Sequence, residues 1–167
     1  MTFGQAMSVY TGQNVGAGKV DRVSSGVKQG SIMALSVSGA ITIVLLFFGH
    51  HLFAIFTNTE ELIDLAVRMM RILALGYLGI AVSQVIGGVM RGAGDTVTPM
   101  WISLIATIFL RVPLAYGLAA FTKSAEYPNG KPEALFICLL VSWSLGAIIS
   151  LVAYKAGKWK QKMEITA

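Results

Sequence analysis

The chain has 167 residues, of which 55% are hydrophobic and 13% are charged, and its formal net charge is +5. Soluble domains usually carry about 25% charged residues, so this composition excludes an ordinary soluble protein and indicates one that is embedded in a membrane. The positive charge is small and lies near the ends of the apolar segments, which argues against nucleic acid as a partner. Basic residues at those positions are typical of the cytoplasmic loops of membrane proteins.

Four long apolar runs follow one another along the chain. The shortest of them, residues 72–90, would rise about 28 Å as a helix, which is close to the hydrocarbon thickness of a bilayer. Backbone groups in lipid must pair within the segment, and the runs lack the strict alternation of barrel strands. We therefore predict an all-α polytopic membrane helix bundle, one domain over residues 1–167, with helices at approximately 30–56, 60–90, 97–121 and 134–156.

Two further segments precede and interrupt these runs. Residues 1–11 are apolar but too short to span a bilayer, so we interpret them as the end of a preceding helix in a chain that looks truncated. Residues 57–71 combine charges with an apolar stripe at helical spacing, which favours an extramembrane opening of the second helix. The alternative is a separate helix that lies in the membrane interface.

Basic residues assign the sides of the membrane. Eight of them lie on the side of two glycine-rich loops, residues 12–19 and 91–96, and four lie on the other side. The positive-inside rule therefore predicts that both loops and the C-terminus are cytoplasmic. The first group is Lys19, Arg22, Lys28, Arg91, Lys155, Lys158, Lys160 and Lys162, and the second is Arg68, Arg71, Lys123 and Lys131. Arg91 and Lys19 would then lie near anionic lipid head groups, and Trp159 would be an interfacial anchor.

The string Gly16-Ala17-Gly18-Lys19 has some similarity to a phosphate-binding loop, but the pattern fails. Gln13 occupies the position of the first required glycine, and Val20 follows the lysine where Ser or Thr is needed. A structural role is the better interpretation, because glycines permit positive φ angles and close approach of helices. In the second loop, Asp95 or Thr96 can cap the third long helix, and Pro99 suits its first turn.

Three stretches resemble one transporter family. The first loop, Gly12-Gln13-Asn14-Val15-Gly16-Ala17-Gly18-Lys19, with Asp21-Arg22-Val23, is similar to the C-terminal-half signature of the multidrug and toxic compound extrusion (MATE) transporters. Met90-Arg91-Gly92-Ala93-Gly94-Asp95-Thr96, with Thr98-Pro99-Met100, resembles their second signature, and Arg111-Val112-Pro113-Leu114-Ala115-Tyr116 resembles the next helix. The motif residues are Gln13, Asn14, Gly16, Gly18, Arg22, Arg91, Gly92, Gly94, Asp95 and Pro99.

The resemblance covers residues 5–160 and implies a fold and a function. MATE transporters have twelve helices in two six-helix lobes and export cationic or amphipathic compounds in exchange for Na⁺ or H⁺. This chain would be a C-terminal fragment, the end of the eighth helix followed by helices nine to twelve, in the plasma (inner) membrane. Its expected partners are lipid, a small organic cation or amphipathic substrate, and the missing N-terminal helices or lobe.

Three polar residues within the runs are candidates for a substrate cavity. An ionisable group inside a membrane is a functional hypothesis by default, which singles out Arg111. Structural pairing with carbonyls that Pro113 frees is the alternative for its role. Tyr77 and Gln84 are seven residues apart, share a helix face with Ala81 and Gly88, and suit either a cavity lining or ordinary helix packing.

No Asp or Glu lies within residues 30–56, 72–90, 97–121 or 134–154. A coupling carboxylate, which some MATE transporters place inside a membrane helix, would therefore lie outside this fragment. We expect no cofactor and no metal site.

Two alternative functions stay open beside export. One is a flippase for lipid-linked oligosaccharides on a related fold, which would need a cationic cavity for anionic head groups. The other is a non-transporting membrane subunit of four helices. An enzyme is not expected, because the runs lack paired carboxylates, histidine clusters or a nucleophile with its base at one depth.

Overall fold

The computed structural model describes residues 3–157 and 159–160, and the regular elements of that part are all helical. A π-helical segment, Ile105–Leu110, joins two of the helices into one continuous rod, Val97–Phe121. Four rods are long and apolar enough to cross a membrane, which confirms the predicted all-α membrane bundle. The helices are α1 Phe3–Gly16, α2 Val20–Ala54, α3 Glu60–Gly92, α4 Val97–Leu104, α5 Arg111–Phe121 and α6 Pro132–Ala156.

Helix α2 begins ten residues before the predicted start near residue 30. Its 35 residues rise about 52 Å, which exceeds the thickness of the hydrocarbon core. The charged residues of the first turns do not end the helix, because Val23 and Val27 are buried on its inner face. Hydropathy predicts only the part of a helix that lies in lipid. The helix itself continues for as long as its apolar face packs against other helices.

Helix α3 runs without interruption from Glu60 to Gly92. The separate interfacial helix considered for residues 57–71 is therefore wrong, and that segment forms the opening of the long helix. Thr59 occupies the N-cap position without a side-chain hydrogen bond to the helix. Helices α3 and α6 each differ from their predicted bounds by no more than two residues at either end.

The third rod has the predicted ends but an unpredicted interior. Pro113 lies near the start of α5 and has no N–H group to donate to the carbonyl of the preceding turn. The π-helical segment lies immediately before this turn, where the chain must change its hydrogen-bond spacing. The sequence shows where the proline is, but it does not show whether the helix kinks there or forms a wider π turn.

Helix α3 is the centre of the bundle, since it contacts α1, α2, α4 and α6. Its approach to α1 depends on glycine. A methyl group at Gly88 would overlap the carbonyl oxygen of Gly4, and one at Gly92 would overlap the carbonyl oxygen of Ser8. The two backbones therefore touch directly, which is how membrane helices gain close van der Waals packing without a hydrophobic driving force.

Helix α2 presents most of its apolar surface outward. In the apolar 18-residue stretch that suits α2 to a membrane span, 11% of the residues are buried, whereas in that of α3 50% are buried. The exposed side chains include Ile41, Val44, Phe47 and Phe48. Such a surface is unsuited to water and suits the acyl chains of a bilayer.

We expect Gly88→Ala to destabilise the bundle by about 1–3 kcal/mol, because the added methyl forces α1 away from α3. Thermal unfolding in detergent, followed by circular dichroism, measures the effect. Gly16→Ala is the matched control, since no atom lies within 4 Å of the added methyl. Equal unfolding temperatures for the two variants would show that the α1–α3 contact is not tight.

Candidate functional site

The two glycine-rich loops share one backbone geometry. Gly18 and Gly94 have φ angles of 69° and 87°, in the left-handed region that favours glycine. In the first loop the Lys19 N–H donates to the Asn14 carbonyl at 2.8 Å, and in the second the Asp95 N–H donates to the Met90 carbonyl at 2.8 Å. Each bond spans five residues, as in the Schellman end of a helix. The loops therefore stop α1 and α3 in the same way.

The two loops also meet at one end of the bundle. A methyl at Gly12 would lie 3.6 Å from the carbonyl oxygen of Gly92, so the last turns of α1 and α3 are adjacent. Trp159 closes this end, and its Nε1 donates to the Tyr154 carbonyl at 2.9 Å. Its side chain is buried, so its interpretation as an interfacial anchor is wrong.

Some of the other motif residues of the loops have local structural contacts. Asn14 Nδ2 donates to the Tyr10 carbonyl at 2.8 Å, and the Tyr10 hydroxyl donates to the Arg22 carbonyl at 3.0 Å. Asp95 is 1% exposed, and its Oδ1 accepts the Thr98 N–H at 3.2 Å, as a capping residue does. Gln13 is exposed. Gly16 has neither a positive φ nor a close neighbour.

A polar cleft of about 240 Å³ lies between α3, the Val97–Phe121 rod and α6. Two of its lining residues are arginines, six are neutral and polar, and none is Asp or Glu. Some of the hydroxyls bond to each other or to backbone, with Ser83 Oγ 2.8 Å from Ser150 Oγ and Ser142 Oγ donating to the Cys138 carbonyl at 2.8 Å. The polar members are Ser83, Gln84, Arg91, Ser103, Thr107, Arg111, Ser142 and Ser150.

Arg111 lines this cleft from the first residue of α5. Its carbonyl oxygen accepts the Cys138 Sγ–H at 3.2 Å. Its Nε is buried and has no hydrogen-bond partner among the described residues. Pro113 leaves backbone carbonyls without a donor, and the alternative role for Arg111 was to donate to them. Nε makes no such hydrogen bond.

Arg91 lines the same cleft, although its position in the sequence predicts that it lies near anionic lipid head groups. A methyl at Gly87 would lie 3.3 Å from its Nη1, and a methyl at Gly4 would lie 3.3 Å from its Nη2. Two glycines thus leave room for the guanidinium to fold back along α3. The spacing of Gln84, Gly87 and Arg91, at intervals of three and four, places them on one helix face, but it does not show that this face meets a cleft.

The π-helical segment aligns the cleft wall of the third rod. Pro99, Ser103, Thr107 and Arg111 all line the cleft and are spaced by four residues. In a regular α-helix each four-residue step drifts by about 40°, so three steps would turn Arg111 away from Pro99. The wider π turn reduces that drift and keeps Arg111 on the cleft side.

An apolar pocket of about 540 Å³ lies on the other flank of α3, between α1, α2 and α3. Tyr77 and Gln84 both line it, together with Ala81. Gly88, which shares their helix face in sequence, instead packs against Gly4 of α1. The Tyr77 ring lies 5.6 Å from the ring of Trp143, which lines the polar cleft.

Gln84 and Ile80 belong to both linings and form the wall that the two cavities share. Tyr77 and Gln84 therefore share the apolar pocket, and Gln84 and Arg111 share the polar cleft, but Tyr77 and Arg111 do not line one cavity. Over the described ranges, no group of three His, Cys, Asp or Glu side chains is placed to hold a metal ion. A ligand would therefore find an apolar surface on one side of the Gln84 amide and the positive charge of two arginines on the other side.

The MatE family model matches residues 1–117 of the chain. The chain belongs to the MATE family. The match extends from α1 through both glycine-rich loops and into α5, so it includes most of the helices that line the polar cleft. Because this is a family of transporters, membership also agrees with the expectation that the chain is not an enzyme.

Curated MATE relatives match nearly the whole chain at low identity. The chain is 28% identical over 164 residues to the probable multidrug resistance protein YoeA of Bacillus subtilis, which covers 97% of the chain and 34% of that protein. It is 24% identical over 161 residues to the probable multidrug resistance protein NorM of Thermotoga maritima, with 96% and 33% covered. The multidrug resistance protein MdtK of Yersinia pseudotuberculosis is 24% identical, with 97% and 34% covered.

This MATE chain thus spans about a third of the length of the curated relatives that it matches. No solved structure matches it. The alignment with these relatives supports a multi-pass membrane protein, in agreement with the four membrane-length rods.

We expect a cysteine at Thr107, in a Cys138→Ser background, to react with a water-soluble anionic methanethiosulfonate about tenfold faster than a cysteine at Phe109. The reagent attacks the thiolate, which needs water or nearby positive charge. Thr107 lines the polar cleft, whereas Phe109 lines a groove formed by apolar residues. Modification rates in liposomes give the comparison. Equal rates would show that the cleft is dry.

Proposed function

We propose that the protein containing this chain is a secondary antiporter that exports cationic or amphipathic toxic compounds from the cell. Support comes from membership of the MATE family and from relatives that are named multidrug resistance proteins. The apolar pocket beside the polar cleft is the structural feature that suits such substrates best. Binding sites for small molecules are usually apolar cavities with a few polar groups that fix orientation.

Gln84 is the residue we assign to substrate orientation in this proposal. Its amide can donate and accept at the boundary of the two cavities, so one side chain can contact both the apolar and the polar part of a substrate. Tyr77 would add an aromatic face and a hydroxyl on the apolar side. Arg111 and Tyr77 would not contact the same part of a substrate, since they line different cavities.

Coupling to Na⁺ or H⁺ is part of the same proposal. A membrane carboxylate that binds either ion would have to lie outside the four apolar runs, which contain no Asp or Glu. We therefore propose that the coupling acid comes from residues other than those of this chain. Export by this chain would then require further helices of the transporter.

We expect Gln84→Ala to lower the rate of ethidium export by about two- to tenfold, because losing one hydrogen bond to the substrate costs about 0.5–1.5 kcal/mol. Export is measured by fluorescence in efflux-deficient cells that express the protein at its native length. Leu75→Ala is the control, since Leu75 lies on the same helix, is 73% exposed and lines neither cavity. Normal export by Gln84→Ala at equal expression would exclude the assigned role.

A flippase for lipid-linked oligosaccharides is the second candidate function. The observation in its favour is the pair of arginines in the polar cleft, since an anionic head group needs cationic partners. Deletion distinguishes the two functions. Loss of ethidium export without a defect of the cell wall favours the antiporter, and a cell-wall defect with normal export favours the flippase. The non-transporting subunit predicts neither effect.

We further propose that the glycine-rich loops and the C-terminus face the cytoplasm of the plasma membrane. The loops lie together at one end of the bundle, and most of the basic residues lie toward that end in the sequence. Lys158 and Lys162, which belong to this basic group, are outside the described residues. The segment between α5 and α6 would then be external.

Cysteine labelling in intact cells tests this orientation. In the Cys138→Ser background we expect an impermeant maleimide to label a cysteine at Glu126, in the proposed external loop, but not one at Thr96. Glu126 and Thr96 are both exposed, so permeabilised cells should show labelling at each position. Labelling of Thr96→Cys alone in intact cells would reverse the orientation.

A further inference from the structure

We propose that the polar cleft is a binding site for an anionic group, a carboxylate or a phosphate carried by an amphipathic molecule, held between Arg91 and Arg111. This goes beyond export of cationic compounds, because it assigns an anion site to one face of the bundle. The site is formed by α3 and α5, with neutral polar side chains of α4, the π-helical segment and α6 around it.

The cleft contains fixed positive charge without a counter-charge. An arginine side chain stays protonated throughout the physiological pH range. None of the residues that line the cleft is acidic. The ion pairs among the described residues, His50 with Glu60 and Arg68 with Glu133, do not involve either arginine of the cleft.

Arg111 has hydrogen-bonding capacity that the described residues do not use. Its Nε is buried without a partner, and a buried donor or charge that stays unpaired is costly in a low-dielectric environment. A carboxylate or phosphate can accept two parallel hydrogen bonds from one guanidinium. Such a ligand would satisfy Nε and neutralise the charge at the same time.

Arg91 can approach the same ligand because glycines surround it. The short distances from methyl positions at Gly4 and Gly87 to its guanidinium show that the side chain folds back beside α1 and α3, and Arg91 is among the residues that line the cleft. Ser103, Thr107 and Gln84 line the cleft as well. They can donate further hydrogen bonds to an anion.

The dimensions of the cleft suit a small anionic head group. A volume of about 240 Å³ is smaller than the roughly 300–1,000 Å³ of common ligand pockets. The apolar pocket of about 540 Å³ begins on the other side of Gln84 and Ile80. The apolar pocket is thus separated from the cleft by this shared wall.

Equilibrium dialysis of the purified protein, at its native length in a nonionic detergent, tests the proposal with matched probes. The soluble probe is 1-naphthoate, and its neutral isostere 1-naphthamide is the comparison. Short-chain phosphatidylglycerol tests a lipid phosphate as the source of the anion. We expect at least one of the two anions to bind saturably and about tenfold more tightly than the amide, as expected for a charge-assisted contact.

Variants assign the binding to the cleft. We expect Arg91→Gln and Arg111→Gln each to weaken anion binding about tenfold, and Arg111→Lys to retain part of it, because the charge stays but the bidentate geometry is lost. Arg71→Gln is the matched control, since Arg71 is an exposed arginine on α3 that does not line the cleft. Amide binding should be unchanged throughout.

Each binding result supports one source of the anion or overturns the proposed site. Preferential binding of naphthoate supports a soluble organic anion, and preferential binding of phosphatidylglycerol supports a lipid head group in the same site. Anion binding no tighter than amide binding, or an Arg91→Gln variant that binds like Arg71→Gln, overturns the proposal. Arg91 lies at an exposed helix end, so this variant remains informative if Arg111→Gln fails to fold. Dialysis involves no transport, so its result is independent of the export assay.

Discussion

The architecture depends on the close contact of α3 with its neighbours, and above all on the backbone contact with α1. In a bilayer no hydrophobic force draws helices together, so packing must come from van der Waals contact at short range. Gly88 and Gly92 provide that contact against Gly4 and Ser8. Because α1 lies against one flank of α3, the rest of α3 is available to line the apolar pocket and the polar cleft.

Electrostatics gives the two cavities different properties. A charged side chain at the centre of a bilayer costs about 2.5–3.5 kcal/mol on insertion scales, and Arg111 lies in a cleft that hydroxyls and an amide also line. The pocket on the other flank contains aromatic and aliphatic groups and no formal charge. Gln84 is neutral, polar and common to both linings, so it is a polar side chain that faces both environments.

Much of the fold could be predicted because lipid imposes a simple rule on sequence. Long charge-free runs must be helices, and the glycines at 18 and 94 have the positive φ that their loops suggested. The start of α2 could not be predicted from hydropathy, because Val23 and Val27 extend the packed face beyond the membrane core. Tyr77, Gln84 and Arg111 stay candidates for the site: each lines a cavity, and their division between two cavities depends on the helices around α3, which the sequence does not show.

The sequence by itself determined the number of spans, the positions of the loops and the family, since each follows from local composition or from short motifs. Tertiary structure alone decided that Arg91 turns into the cleft rather than toward lipid, that Trp159 is buried, and that a π-helical segment keeps Arg111 facing α3 and α6. The physical reason is that a side chain takes its environment from residues distant in sequence. Helical spacing shows which residues share a face, and only packing shows what that face meets.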